Sequence, residues 1–258
     1  MHDDSRPNAV NDRLIYPGGK VRLYVEVALA HGACVEVTQA QSHYLIHVMR
    51  ARTGDRVSLF NGKDGEWLAK IANVSKRHCA LVCEAELRAQ QATPDIWLCF
   101  APIKKTPADY LSQKATELGV SALQAVMTRR TIVSRVNTER MRANAIEAAE
   151  QSERLTVPDV REAASLEKLL TTWPADRLLM FCDEAGEALP ITDALAARQT
   201  YPGAVLTGPE GGFDAEERER IRSLAFVTPV SLGPRILRAD TAALAALSVW
   251  QALAGDWR

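Results

Sequence analysis

The chain has 258 residues, of which 47% are hydrophobic, and it carries a net charge of −1. This length and apolar content can build a sizeable core, and we expect two modest domains. The near-neutral balance excludes the strongly basic character, with a pI above about 9, of many nucleic-acid-binding domains. No apolar segment has the length needed to cross a bilayer, so we expect a cytoplasmic protein with no membrane partner.

Cysteine and histidine usage bears on metals and on catalysis. Five cysteines without a disulfide-type spacing indicate a reducing compartment. His78, Cys79 and Cys83 suggest zinc, but His78 and Cys79 would face opposite sides of a strand, and no second ligand pair follows. All five histidines lie at or before position 78. We therefore expect no metal, and no Ser–His–Asp chemistry in the rest of the chain.

Short strands dominate the first 90 residues. Apolar residues at helical spacing predict a helix over 41–50, with Tyr44, Leu45, Val48 and Met49 on one face. Residues 61–65 form a predicted hairpin loop. The predicted strands cover 21–27, 33–37, 56–60, 66–74 and 78–84. Closely spaced short strands with one helix predict a small β-barrel domain over residues 1–90.

The polar stretch that ends in Pro94 marks a domain boundary, and residues 91–258 alternate strands with helices. This alternation predicts an α/β domain around a parallel sheet. The predicted strands are 96–101, 120–127, 178–182, 204–206 and 227–232. The predicted helices are 106–118, with its cap at Thr106–Pro107, then 139–152, 165–171 and a last helix capped by Asp240 that runs to about 254.

Two glycine turns concentrate the unusual backbone requirements of the chain. One reads L-T-G-P-E-G-G-F (206–213) and precedes a capping box of Asp214 and Glu217. The other reads L-G-P-R-I-L-R (232–238). Glycines let a ligand approach main-chain groups closely. Loops that leave the same ends of neighbouring parallel strands are where an open α/β sheet binds its ligand.

Simpler explanations exist for each of these features. The glycines are also compatible with a merely tight turn, and Arg235 and Arg238 with solvated surface charges. Lys104–Lys105, Arg129–Arg130 and Arg135 flank strand ends, where they are either polyanion contacts or ordinary exposed charges. The phosphate-binding patterns G-x-x-x-x-G-K-[ST] and G-x-G-x-x-G are absent, which favours a nucleoside ligand without phosphates.

Several further motifs occur in order along the chain: Q-K-A-T-E-L-G-V (113–120), E-A-A-E-Q-S-x-R (147–154) with Val157–Pro158, H-Y-L-I-H-V-M-R (43–50), Gly54–Asp55 and Phe60–Asn61–Gly62. Together with both glycine turns they resemble the RsmE family of the SPOUT superfamily, whose members form N3-methyluridine in small-subunit ribosomal RNA with S-adenosylmethionine. The match covers nearly the whole chain and departs at Asp240, where the family usually has Glu.

The resemblance implies a PUA-like β-barrel for RNA, followed by an α/β SPOUT domain with a C-terminal trefoil knot. General topology rules argue against knots, so the knot rests on the resemblance alone. It also implies a homodimer that methylates one uridine of 16S rRNA near the decoding centre. A last helix that is apolar around its circumference supports the dimer, through Leu244, Leu247, Val249, Trp250 and Leu253.

The resemblance maps the methyl donor onto Leu206, Thr207, Gly208, Pro209, Glu210, Gly211, Gly212, Leu232, Gly233, Pro234, Ile236, Leu237, Arg238 and Thr241. Arg235 and Arg238 are candidates to orient the uracil, and Glu210 and Asp240 to accept the N3 proton. The candidate RNA contacts are Arg22, Arg50, Arg52, Lys76, Arg77, Lys104, Arg129 and Arg130. Alternatives are another SPOUT reaction, such as ribose 2′-O-methylation, or a non-catalytic rRNA-binding assembly factor.

Overall fold

The computed structural model describes residues 15–16, 19–75, 78–103, 108–183, 188–196 and 202–257. Its chain divides into two compact units, Met1–Gln91 and Ala92–Arg258. The RNA contacts predicted at Lys76, Arg77 and Lys104, and the helix cap predicted at Thr106–Pro107, lie outside the described residues. Within the described part, no helix combines the length and apolar character that crossing a membrane requires.

The first unit contains a two-stranded ribbon, β1–β2, and a five-stranded sheet in the order β3-β5-β6-β7-β4. Strand β3 pairs with β5 in parallel, and the other pairs of the larger sheet are antiparallel. Alternate residues such as Val57 and Leu59 are buried in one apolar core. The strands are β1 (Ile15–Tyr16), β2 (Gly19–Lys20), β3 (Arg22–Tyr24), β4 (Cys34–Glu36), β5 (Arg56–Phe60), β6 (Glu66–Val74) and β7 (Cys79–Arg88).

The helix predicted over 41–50 is interrupted. An α-helix α1 (Gln39–His43) continues as a π-helix over Tyr44–Val48. A π-turn holds more residues than an α-turn, so side chains shift around the axis. Leu45 is buried, whereas Tyr44 is 38% and Val48 60% exposed. The four apolar residues predicted to share one helical face are therefore not buried together.

The second unit is an α/β domain whose seven-stranded sheet has the order β10-β9-β8-β13-β11-β14-β12, with every pair parallel. The predicted parallel sheet is confirmed. The strands are β8 (Ile96–Phe100), β9 (Ala122–Met127), β10 (Asp159–Ser165), β11 (Leu178–Cys182), β12 (Leu189–Pro190), β13 (Gly203–Thr207) and β14 (Val227–Ser231). The helices are α2 (Ala108–Glu117), α3 (Thr138–Gln151), α4 (Leu166–Thr171), α5 (Ile191–Ala196), α6 (Ala215–Arg222) and α7 (Ala239–Leu253).

Both faces of this sheet are buried. On β8, Leu98 and Phe100 belong to one apolar cluster and Cys99 to a second. Strands covered on both faces are apolar at successive positions, which is why the sequence predicts β8 and β11 closely. Strand β10 was not predicted, because its sequence D-V-R-E-A-A-S has no apolar run and lies at the sheet edge.

The last helix differs from its prediction at its start. Its N-cap is Arg238, not Asp240, and Asp240 lies in the first turn. Leu244 and Val249 pack against the core of their own unit, and Leu253 is 40% exposed. Helices α2 and α5 and strands β8 and β13 contact α7 within the chain. Its apolar circumference is thus covered largely within the unit, so it is no longer an argument for a dimer.

Candidate functional site

The two glycine turns follow β13 and β14 and lie at the same edge of the sheet. These two strands were predicted to be direct neighbours, but they are not. Strand β11 lies between β13 and β14 and is parallel to both. The register pairs Phe181 with Leu206 and Cys182 with Val230, so all three strands end at the same level. Residues after β11 therefore lie between the two glycine turns.

A cavity of about 660 Å³ opens at this edge. Its volume falls in the range of about 300–1,000 Å³ that is usual for small-ligand sites. Eleven of the fourteen residues predicted to bind the donor line it, whereas Leu206, Gly211 and Thr241 do not. The eleven are Thr207, Gly208, Pro209, Glu210, Gly212, Leu232, Gly233, Pro234, Ile236, Leu237 and Arg238.

The first turn needs glycine at two of its three positions. Gly212 has φ +65° and donates its N–H to the Pro209 carbonyl at 2.9 Å. A Cβ at Gly208 would lie 2.8 Å from the Phe213 ring, which packs edge-to-face on Phe181. At Gly211 a Cβ would meet only the Arg130 side chain at an ordinary 3.7 Å. The structure gives no steric reason for glycine at 211.

The second turn is more open. Gly233 has φ +104°, and no heavy atom of the described residues lies within 4 Å of a Cβ built there. Its N–H bonds to the Ser231 hydroxyl at 3.2 Å. Next to it Ile236 is 86% exposed, although it lines the cavity. This arrangement leaves main-chain groups accessible to a ligand.

Two exposed arginines predicted to contact RNA, Arg129 and Arg130, also bond to the first turn and to the start of α6. Arg130 Nη1 donates to the Gly211 carbonyl at 2.8 Å. Arg129 Nη1 pairs with Asp214 at 2.9 Å and with Glu216 at 2.6 Å. The predicted capping box of Asp214 and Glu217 is present at the start of α6. The Glu216 N–H and then Arg129 hold the pKa of the Asp214 carboxyl below its usual range.

The predicted catalytic residues come together at the cavity. Arg235, Arg238, Glu210 and Asp240 all line it, and Arg235 and Arg238 are exposed. Asp240 Oδ1 accepts the Thr241 N–H at 2.8 Å in the first turn of α7. Carboxylates and guanidinium groups at one cavity can accept a proton and stabilise a developing negative charge.

Three cavity residues near the end of β11 and on α6 were not predicted. Cys182 ends β11, Asp183 follows it directly, and Arg218 lies on α6. Burial raises the pKa of the Cys182 thiol to about 12, so the thiol stays protonated near neutral pH. The signal was a polar residue directly after an apolar strand, which identifies the ligand-binding edge of a parallel sheet.

The remaining predicted RNA contacts lie in the first unit. Arg22 is 6% exposed, and its Nε pairs with Glu66 at 2.8 Å while its guanidinium lies 4.5 Å from the Phe60 ring centroid. Burial alone would raise the pKa of Glu66, but bonds from Arg22 and Arg88 lower it below its usual range. Arg22 is therefore a structural ion pair and is unsuited to bind phosphate. Arg50, at φ +53°, and Arg52 are exposed.

The cysteines and the other potential metal ligands form neither a metal site nor a disulfide within the described residues. The described residues contain no group of three or more His, Cys, Asp or Glu side chains arranged to hold a metal ion. All five cysteines lie within the described residues and are free. Of the residues weighed for zinc, Cys79 and Cys83 are buried and His78 is exposed.

Two family models match the chain. An RNA methyltransferase domain matches residues 90–251, and an RNA methyltransferase PUA domain matches residues 37–83. Ribosomal RNA small subunit methyltransferase E from Rickettsia conorii is 32% identical over 232 residues, 88% of this chain and 93% of the relative. The protein of that name from Bacillus subtilis is 30% identical over 82% of this chain and 87% of its own.

Solved structures agree with these matches. Ribosomal RNA small subunit methyltransferase E from Neisseria gonorrhoeae, bound to S-adenosyl methionine, has a TM-score of 0.83 at 29% identity. The match covers 92% of this chain and 99% of that one. A Legionella pneumophila methyltransferase in complex with the same cofactor has a TM-score of 0.81 at 29% identity, with 92% and 98% coverage.

Fold, cavity and comparisons together define an S-adenosylmethionine-dependent RNA methyltransferase. The chain belongs to the ribosomal RNA small subunit methyltransferase E family, and it methylates ribosomal RNA. The resemblance noted from its motifs is confirmed.

Proposed function

We propose that this enzyme methylates N3 of one uridine in the 16S rRNA of the small ribosomal subunit, near the decoding centre. One observation carries the proposal: the cavity that adjoins both glycine turns is also lined by three arginines and three carboxylates, among them Arg235, Arg238, Glu210 and Asp240. Such a set suits a base that must lose a proton and pass through an anionic state.

The residues around the cavity fit a nucleoside-type methyl donor. Gly233 leaves open space where a side chain would intrude, and Gly208 and Gly212 keep the facing turn close to the cavity wall. The eleven lining residues predicted to bind the donor would hold it, mainly through main-chain groups. When bound, the donor supplies an electrophilic methyl group on a sulfonium.

The chain's own contribution is to prepare N3 of the uracil. This nitrogen carries a proton at neutral pH, and it must lose that proton before or during attack. We assign the proton acceptor to Asp240 or Glu210, and the stabilisation of charge on O2 and O4 to Arg235 and Arg238. Holding the base in position next to the donor supplies the remainder of the rate enhancement.

The proposal extends to architecture and assembly. We assign a PUA-like β-barrel to residues 1–90 and a SPOUT domain with a C-terminal trefoil knot to residues 91–258. We also assign a homodimer, which is supported by the exposed Ile132 and Ile236 on the wall of the cavity. Five free cysteines support a cytoplasmic location, where thiols stay reduced.

Small subunits from a strain that lacks the gene are the substrate for a direct test. They are incubated with purified enzyme and isotope-labelled S-adenosylmethionine, and the rRNA nucleosides are separated by mass spectrometry. We expect label in 3-methyluridine and little label when Arg235→Met replaces the wild type. Label in a 2′-O-methylnucleoside would refute the assignment to N3. Absence of label from both naked rRNA and subunits would favour a non-catalytic assembly factor.

A further inference from the structure

Two charged cavity residues, Arg218 and Asp183, have no role in the proposed methyl transfer. Arg218, on α6, lines the cavity and is only partly exposed, whereas Arg235 and Arg238 are exposed. Its Nε is buried, has no hydrogen-bond partner among the described residues, and lies at an ion-pair distance of 3.3 Å from Asp183 Oδ1. Within the described residues, neither of its Nη groups has a hydrogen-bond partner. The cavity thus contains a guanidinium whose two terminal nitrogens are available to a ligand.

Asp183, directly after β11, forms an ion pair with this arginine. The Asp183 side chain is 1% exposed, and its Oδ2 accepts bonds from Arg222 Nε at 2.7 Å and Nη2 at 2.6 Å. Its main-chain N–H bonds to the Val230 carbonyl at 3.1 Å, which ties it to β14. Arg218 and Arg222 are four residues apart on α6, so both reach the same carboxylate. Arg222 does not line the cavity.

The charges of the donor decide which part of it can approach Arg218. S-adenosylmethionine has two cationic groups, the sulfonium and the ammonium, and a single anionic group, the carboxylate of its methionyl part. A fixed guanidinium repels the cationic groups and binds a carboxylate through paired N–H donors. The adenosyl part offers no charge that would favour this position.

We propose that Arg218, anchored by Asp183, binds the methionyl carboxylate of the donor. The inference rests on the donor site proposed above and adds a residue outside both glycine turns. It gives the chain a second class of donor contact: main-chain groups of the turns for the nucleoside, and one side-chain cation for the amino-acid end.

Binding of two ligands separates this role from a structural one. Calorimetric titrations compare S-adenosylmethionine with 5′-methylthioadenosine, which keeps the adenosine and sulfur but lacks the amino acid. For Arg218→Met we expect the affinity for S-adenosylmethionine to fall tenfold or more, and that for 5′-methylthioadenosine to change less than threefold. Arg218→Lys should recover part of the loss.

Arg222→Met is the matched control, because it also removes a cation paired with Asp183 but none from the cavity wall. It should leave both affinities within threefold. An equal loss of both ligands in Arg218→Met would show an effect on pocket shape, and an unchanged affinity for S-adenosylmethionine would show no contact. Either result overturns the inference but leaves the donor site in place. A wild-type chain that binds neither ligand would overturn the donor site itself.

Discussion

At the scale of single residues, substitution of Asp240 can distinguish a structural role of its carboxylate from a catalytic one. It is not the N-cap of α7, so loss of its charge from the first turn should cost only about 0.3–1 kcal/mol of stability. As the proton acceptor it should matter far more, because general-base catalysis contributes about 10²–10⁴-fold. We expect Asp240→Ala to melt within a few degrees of wild type but to methylate about 100-fold more slowly in single turnovers.

Asp240→Glu, which has the residue usual in the family, serves as its control and should retain activity. If folded Asp240→Ala methylates at the wild-type rate, the proton acceptor is Glu210 or is absent.

Gly233 tests whether the backbone of the second turn binds the donor. Its φ of +104° would strain a valine by about 1–3 kcal/mol, which the turn can relieve only by changing shape. We expect Gly233→Val to bind S-adenosylmethionine about tenfold more weakly or worse, since 1.4 kcal/mol is tenfold. Gly54→Val is a matched control, because Gly54 has φ +98° and similar open space among the described residues of the first unit. Equal donor affinity in both variants would refute the role of the turn.

At the scale of elements, the N-cap of α6, which directly follows the first glycine turn, should make the stability of the fold depend on pH in the acid range. Bonds from the Glu216 N–H and from Arg129 lower the pKa of Asp214 below its ordinary value of 3.8. A depressed folded-state pKa gives stability that is present above the ordinary value and is lost as pH falls through the folded value.

Asp214→Asn keeps a capping oxygen but cannot titrate, so it isolates this effect. Urea midpoints should show wild type more stable than the variant at pH 7, with the difference shrinking below about pH 4. A difference that stays constant from pH 7 to pH 2.5 would contradict this linkage.

Sequence patterns predicted those helices and strands whose boundaries are set by the residues within them. Helix α3, strands β5, β6 and β11, and the capping box of α6 match within a residue or so. The π-helix after α1 was not predictable, because its apolar residues also fit an α-helical period. The position of β11 between β13 and β14 was not predicted either, because strand order depends on long-range pairing. For the same reason Arg218 was not predicted, whereas both glycine turns were, and Asp183 could have been predicted from its place directly after an apolar strand.

At the scale of the whole molecule, RNA binding should involve both units. Among the RNA contacts predicted in the first unit, Arg50 and Arg52 are the two that are exposed within the described residues. Each phosphate contact to single-stranded RNA adds about 0.7 to the slope of log affinity against log salt. We expect the double change of Arg50 and Arg52 to Gln to lower that slope by about 1.4.

Lys70 and Lys168 are exposed and were not predicted to contact RNA, so their double change to Gln is a charge-matched control. The hypothesis is wrong if both double variants show the same slope, or if residues 91–258 alone bind the RNA as tightly as the whole chain.

The oligomeric state is a second property of the whole molecule. Ile236 is 86% and Ile132 69% exposed, and both line the cavity. Large apolar side chains in such positions are typical of surfaces that a partner covers. Light scattering at micromolar concentration should give twice the chain mass of 28.3 kDa. A mass of one chain would exclude the proposed homodimer.

The central claim is that this enzyme methylates N3 of one uridine in 16S rRNA, and rRNA from a strain that lacks the gene tests it most directly. Nucleoside mass spectrometry of mapped fragments should show one 3-methyluridine lost from the small-subunit rRNA. The wild-type gene should restore that methyl group, and the gene carrying Gly233→Val should not. An unchanged 3-methyluridine content, or the loss of a different methylated nucleoside, would contradict the account.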